Sequence, residues 1–154
     1  MLTLRPMTQA ELDALLPVRN REYAEEEVRA GRDHPDTVHA NVEAMMARLL
    51  PDGVGTAGHL MFAGEADGVV VGHIWLALPD GKRPQAWVYD IHVDAAHRGE
   101  GYGRALMLAA EEELKARGVT RLGLNVFGPN TVARRLYESL GYEPTALQMS
   151  KELA

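Results

Sequence analysis

The run Val93-Asp94-Ala95-Ala96-His97-Arg98-Gly99-Glu100-Gly101-Tyr102-Gly103-Arg104 concentrates residue types that can hold a phosphate. Three glycines at alternate positions lie between the end of an apolar strand pattern and the start of a long helical one. Glycine allows positive φ and lets a bulky anion approach the backbone. The first amides of a helix lack an internal partner and point outward with the positive end of its dipole. Such a turn is a phosphate site in outline, and Arg98 or Arg104 can add charge-assisted contacts. The spacing matches neither common nucleotide loop: no Gly-Lys-Ser/Thr is present, and the third glycine falls one residue short of Gly-x-Gly-x-x-Gly. Taken alone, Arg-x-x-Gly-x-Gly is equally a plain turn into a helix.

Other chemistries are closed off by composition. The chain of 154 residues has no cysteine, which removes disulfides, thiolate metal sites and cysteine nucleophiles. Its two serines, Ser139 and Ser150, lie outside any Gly-x-Ser-x-Gly elbow. The histidines His34, His39, His59, His73, His92 and His97 form no metal-ligand spacing, so no metal is expected. A net charge of −6 argues against nucleic-acid partners, which demand a basic surface. No apolar run reaches membrane-spanning length and the first residues do not resemble a signal peptide, so a cytoplasmic protein without a membrane partner is expected.

One domain over residues 1–154 suffices to position the turn. Leu2 and Leu4 alternate with polar neighbours up to Pro6, as in a short strand. Thr8 with Glu11 is a capping-box pattern that starts a helix near Gln9, with Pro17 expected to break or kink it. A second helix is expected from Asp36-Thr37 to Pro51. Strands follow over 60–66 and 69–78, joined by the turn residues Asp67-Gly68, then a third over 85–94. The segment 101–117 is helical and stops at Gly118. A strand over 119–127, a helix over 130–140 ended by Gly141, and a last strand over 142–153 complete the order. The strands at 85–94 and 119–127 flank one helix, which makes them parallel.

With these elements in place the chain resembles the Gcn5-related N-acetyltransferase (GNAT) superfamily. Its central motif, Arg/Gln-x-x-Gly-x-Gly/Ala between the fourth strand and third helix, is matched by Arg98, Gly101 and Gly103. The strand Leu122–Phe127, then Asn130, then Arg135-Leu136-Tyr137-Glu138-Ser139-Leu140-Gly141-Tyr142 matches the family's next strand, asparagine and tyrosine-bearing helix. The specific likeness spans residues 85–143. It implies an α+β fold in three layers: a mixed, mostly antiparallel sheet of six to seven strands with about four helices on both faces.

The resemblance also implies chemistry: direct acetyl transfer from acetyl-CoA to a primary amine through a tetrahedral intermediate. The cosubstrate would lie along Ile91, His92 and Val93, with the Val93 amide as oxyanion donor, and its diphosphate would be held by Arg98, Gly99, Glu100, Gly101, Tyr102, Gly103 and Arg104. In the family the two parallel strands splay, which frees those amides. Asn130 and Tyr137, seven residues apart on one helix face, would reach the same cosubstrate, and Tyr137 is the candidate acid for the departing thiolate. Asp90 or His92, on one face of their strand, would deprotonate the amine, with Asp90 preferred. Relatives that acetylate ribosomal proteins carry a glutamate where this chain has Asn125, a departure that sets this base and substrate apart. A non-catalytic acyl-CoA-binding module of the same fold is the alternative.

For the acceptor, the first helical region supplies Glu22, Tyr23 and Glu26, carboxylates beside an aromatic ring that suit an ammonium. Trp75 either lines this site or packs. The partner is a small-molecule or peptide amine. Homodimers being frequent in the family, a homodimer is a candidate assembly.

Overall fold

A computed structural model describes all 154 residues. In chain order it contains β1 (Leu2–Pro6), α1 (Gln9–Arg29), α2 (Val38–Leu49), β2 (His59–Ala66), β3 (Val69–Ala77), β4 (Ala86–Val93), α3 (Tyr102–Ala116), β5 (Leu122–Leu124) and α4 (Thr131–Ser139). The strands form one sheet in the order β1-β2-β3-β4-β5, antiparallel except for the parallel β4–β5 pair. No helix is long and apolar enough to cross a membrane.

Two apolar layers cover the sheet. On one face Phe62, Ile74, Leu76, Ala86 and Val88 meet Met107, Ala110 and Leu114 of α3 and Tyr137 of α4. On the other, Met61 and Trp75 pack with Met7, Leu12 and Leu50, and Leu15, Leu16 and Met46 close over them. The β2–β3 hairpin turns through Asp67 and Gly68, at φ 51° and 78°. Two successive positive φ values give the turn twist that matches adjoining strands, which is why an Asp-Gly pair sits there. At the start of α1, Thr8 Oγ1 accepts from the Glu11 amide while Glu11 Oε1 accepts from the Thr8 amide. Arg5 binds both carboxylate oxygens of Glu11 at 2.9 Å and lowers its pKa to about 2.

Four expectations are corrected. Pro17 does not break α1, which runs unbroken for 21 residues. The proline lies on the exposed side, where water serves the carbonyl that loses its donor, while Leu12 and Ala24 anchor the helix on either side of it. The strand expected over 119–127 shrinks to Leu122–Leu124. The last strand, expected over 142–153, does not form: residues 144–154 pair with nothing, and Leu147, Met149 and Leu153 are at least 77% exposed. A three-residue β5 offers too short an edge for a further strand, and Pro144 lacks an amide to donate. The sheet therefore has five strands rather than six or seven.

Candidate active site

The expected turn between β4 and α3 is open. Gly99 and Gly101 have φ of 80° and 83°, and a Cβ on either would touch nothing within 4 Å. Gly101 caps α3 without a side-chain bond, and the first helical hydrogen bond runs from the Ala105 amide to the Gly101 carbonyl at 3.1 Å. The amides of Tyr102, Gly103 and Arg104 thus precede the helical ladder and face outward. Gly103 has a packing reason instead: its Cβ would come 3.3 Å from Leu136 Cδ2, so a small residue lets α3 approach α4. Arg98 and Arg104 are both exposed. Arg98 Nε donates to the Val93 carbonyl at 3.1 Å, and Arg104 Nη2 donates to Ser139 Oγ at 2.6 Å, which ties α3 to α4.

Beside this turn the sheet comes apart. The β4–β5 pairing stops at Val88–Leu124, leaving Tyr89 to Val93 without a neighbour on that side. Asp94 donates its amide to the Val71 carbonyl at 2.8 Å. Antiparallel strands alternate their donors, so the His92 amide also faces β3 while the amides of Ile91 and Val93 face the gap. A bulge sits nearby: β3–β4 register jumps from Trp75–Asp90 to Leu76–Val88, and Tyr89 is the extra residue. It lets Tyr89 pack toward α1 and α2 while Asp90 keeps the same side.

Asp90 anchors a charged network between α1 and the sheet. Arg19 grips it with both arms, Nη2 to Oδ1 at 2.7 Å and Nε to Oδ2 at 3.0 Å, and His73 Nε2 meets Oδ2 at 2.8 Å. Burial alone would raise the Asp90 pKa, but the bonds from His73 and Arg19 outweigh it and hold the carboxyl well below its usual range. A carboxylate so held is a poor proton acceptor. Arg19 also binds Glu22 and lies 3.2 Å from His92 Nδ1. Arginine can only donate, so His92 Nδ1 is the acceptor and the remaining ring proton sits on Nε2. Burial, then the positive charge of Arg19, lowers the His92 pKa and keeps the ring neutral. The two groups expected to deprotonate the amine are thus both engaged by Arg19.

Tyr137 is buried on the opposite face of the sheet, against Ile74 and Met107. Its pKa is raised by burial and then by the charge of Asp90. Asn130 fills the N-cap of α4, its Oδ1 accepting from the Ala133 amide at 3.2 Å. Of the expected acceptor residues, Glu22 and Glu26 lie at helical spacing from Arg19 on the side facing Asp90, whereas Tyr23 turns toward Glu27 and Arg32. Of the two readings of Trp75, lining or packing, the structure selects packing: it is buried, stacked on Tyr89 with centroids 4.7 Å apart, and its Nε1 donates to His59 Nδ1. The Arg32 guanidinium lies 4.5 Å from the Phe127 ring centroid and ties the loop after α1 to the loop after β5.

Arg19 and His73 do not stand out in the sequence as site residues. Their signal is polarity at an apolar position: Arg19 continues the Leu12, Leu15, Leu16 stripe of α1, and His73 interrupts the apolar run of β3. A charge there demands a buried partner.

A half-open mixed sheet with an unpaired β4 beside a glycine-rich helix start is the architecture of one group of acyltransferases, and sequence comparison agrees. The model of the acetyltransferase (GNAT) family matches residues 19–142, and the chain belongs to that family. It is 33% identical to the uncharacterized N-acetyltransferase YycN of Bacillus subtilis over 99% of both chains. The crystal structure of YycN superposes with a TM-score of 0.93 at 31% identity, covering 100% of this chain and 99% of that one. A mycothiol acetyltransferase of Beutenbergia cavernae is 32% identical over 91% of this chain, which spans 44% of that relative's length. The PaiA N-acetyltransferase of Thermoplasma acidophilum, solved with coenzyme A, shares the fold at a TM-score of 0.68 and 20% identity, over 93% of this chain and 90% of that one.

Proposed function

We propose that this protein transfers an acetyl group from acetyl-CoA directly to a primary amine of a small molecule or peptide. The observation that carries this reading is the conjunction of an open glycine turn, free amides at its helix start and an unpaired β4 leading into it. The turn suits a diphosphate: Gly99 and Gly101 leave room for it, the amides of Tyr102 to Arg104 point at it, and Arg98 and Arg104 bring positive charge. The Ile91 and Val93 amides suit the amide-bearing arm and the thioester carbonyl. The Val93 amide would stabilise the oxyanion of the tetrahedral intermediate. Tyr137, held protonated by burial, would donate a hydrogen bond to the departing sulfur.

The test is a panel of primary amines scored by release of coenzyme A, with competition by CoA, ATP and NAD. Acetylation of an amine class, and displacement by CoA alone, are expected. Binding of CoA with no acetylation of any amine would instead favour a non-catalytic acyl-CoA-binding module. A Gly101→Asp protein should bind acetyl-CoA at least tenfold more weakly by calorimetry. A carboxylate at this position would stand beside the free helix-start amides and repel the diphosphate they are placed to hold. Unchanged affinity would place the diphosphate elsewhere.

A further inference from the structure

We propose that Glu26 takes the proton from the acceptor ammonium and so frees the nitrogen lone pair for attack; this rests on the acetyl-transfer reading above. A protonated amine is no nucleophile, so the site requires an acceptor group with an available lone pair. Along the side of α1 that faces β4, the candidates are few. Both Asp90 oxygens are taken by Arg19 and His73. Glu22 is paired with Arg19. His92 Nδ1 receives the Arg19 N–H. Glu27 is held in a two-pronged pair by Arg32 at 2.6 and 3.1 Å. Asp94 is nearly half exposed, out at the mouth of the glycine turn.

Glu26 differs from all of these. It follows Arg19 by seven residues and Glu22 by four, two turns and one turn along the same helix face. It is half-buried, and no hydrogen bond engages its carboxylate. The charges around it are Arg19, Glu22 and Arg29 of its own helix and Asp90 of β4, with Tyr23 and Arg32 alongside. Burial raises its proton affinity first, and Asp90 and Glu22 add to it, while Arg19 and Arg29 act in opposition. Arg19 thus has a positioning role: by occupying Asp90, Glu22 and His92 together, it leaves Glu26 as the carboxylate free to react.

Atoms and charge balance across the transfer. One proton leaves the ammonium for Glu26 Oε and passes to solvent. The nitrogen lone pair forms the N–C bond as the carbonyl π pair moves onto oxygen, near the Val93 amide. The C–S pair then leaves with sulfur as the carbonyl reforms, and the second nitrogen proton ends on sulfur by way of the Tyr137 hydroxyl. Ammonium and thioester become amide, thiol and one released proton.

The test compares the full-length parent with Glu26→Gln, using tyramine, putrescine and tetra-alanine as acceptors. Glutamine keeps the shape, and Glu26 has no partner to lose, so thermal stability and acetyl-CoA affinity should not change. Turnover at neutral pH should fall at least tenfold. In the variant, rate should recover as pH rises toward the amine's own pKa, because free amine then arrives unaided; Glu26→Asp should restore part of the neutral rate. Carbon-13 NMR of the side-chain carboxyls should show Glu26 titrating above the ordinary glutamate range. Normal turnover and an unshifted pH profile in Glu26→Gln, or an ordinary Glu26 titration, would overturn the assignment while leaving acetyl transfer intact. A parent protein that acetylates none of the three amines would instead bring down the underlying reading, and the assignment with it.

Discussion

An Asp90→Ala protein is expected to be about 3 kcal/mol less stable than the parent, a fall of roughly 6–12 °C in Tm. The cost comes from what stays behind. Arg19 is only 23% exposed, and without Asp90 its guanidinium loses its two-pronged partner and keeps only the Glu22 pair and the nearby charge of Glu26, while His73 loses its carboxylate partner. Truncating one member of a largely buried pair is far worse than replacing both. The double variant Arg19→Met, Asp90→Leu should therefore recover much of the loss in thermal unfolding. The pH dependence has a definite sign. The folded-state pKa of Asp90 lies below its unfolded value near 3.9. Its contribution is complete above that unfolded value and fades as pH falls toward the depressed one. The gap between parent and Asp90→Asn should accordingly be full at pH 6 and narrow below about pH 4. A constant gap across that range would mean that the ion pair is not what the mutation removes.

Tyr137→Phe should slow turnover roughly a hundredfold, with acetyl-CoA affinity unchanged within about twofold. A hydrogen bond to a charged partner contributes about 1.5–3 kcal/mol, and a hundredfold corresponds to about 2.7 kcal/mol. Because the phenol is pushed above its ordinary pKa by burial and by Asp90, it stays protonated through the neutral range and acts best as a donor to the sulfur. Loss of the hydroxyl removes only that bond, since the ring remains in the layer formed with Ile74 and Met107. Stopped-flow turnover alongside calorimetry of acetyl-CoA binding separates the two quantities. Equal turnover in the two proteins would strike Tyr137 from the reaction and leave it as packing.

The fold class and the open glycine turn are legible in the sequence because each rests on local rules. Asp67-Gly68 can hardly do other than turn, Thr8 and Glu11 cap whatever helix comes next, and Gly99 and Gly101 mark positions where φ is positive. What escaped depends on contacts distant in sequence. Arg19 meets Asp90 across 71 residues, and no periodicity announces that pairing. Asp90 looked like a base because a carboxylate on the right strand face is a base until its partners are known. For Trp75 the sequence leaves lining and packing open, because pattern alone cannot tell which face of a two-sided sheet is sealed, and burial decides for packing. Of the break or kink expected at Pro17, the break does not occur: burial of Leu12 and Ala24 on either side outweighs one lost helical bond. The missing final strand shows that alternation of Leu147 and Met149 supplies a preference and not a partner.

The shortness of β5 has a mechanical consequence. Four residues, Arg121 with its carbonyl accepting from the Ala86 amide and the paired Leu122 to Leu124, carry the backbone junction between the last quarter of the chain and the sheet. Beyond them, α4 and its flanking loops are attached by side chains: the contacts of Ala133, Leu136, Tyr137 and Leu140, the Arg104–Ser139 bond, the Arg32–Phe127 contact, and the Tyr142 hydroxyl donating to Glu111 at 2.8 Å. An element fastened in this way can shift as a unit without tearing the ladder that runs from β1 to β4. Compliance is thereby concentrated at one seam, and the other four strands are left stiff.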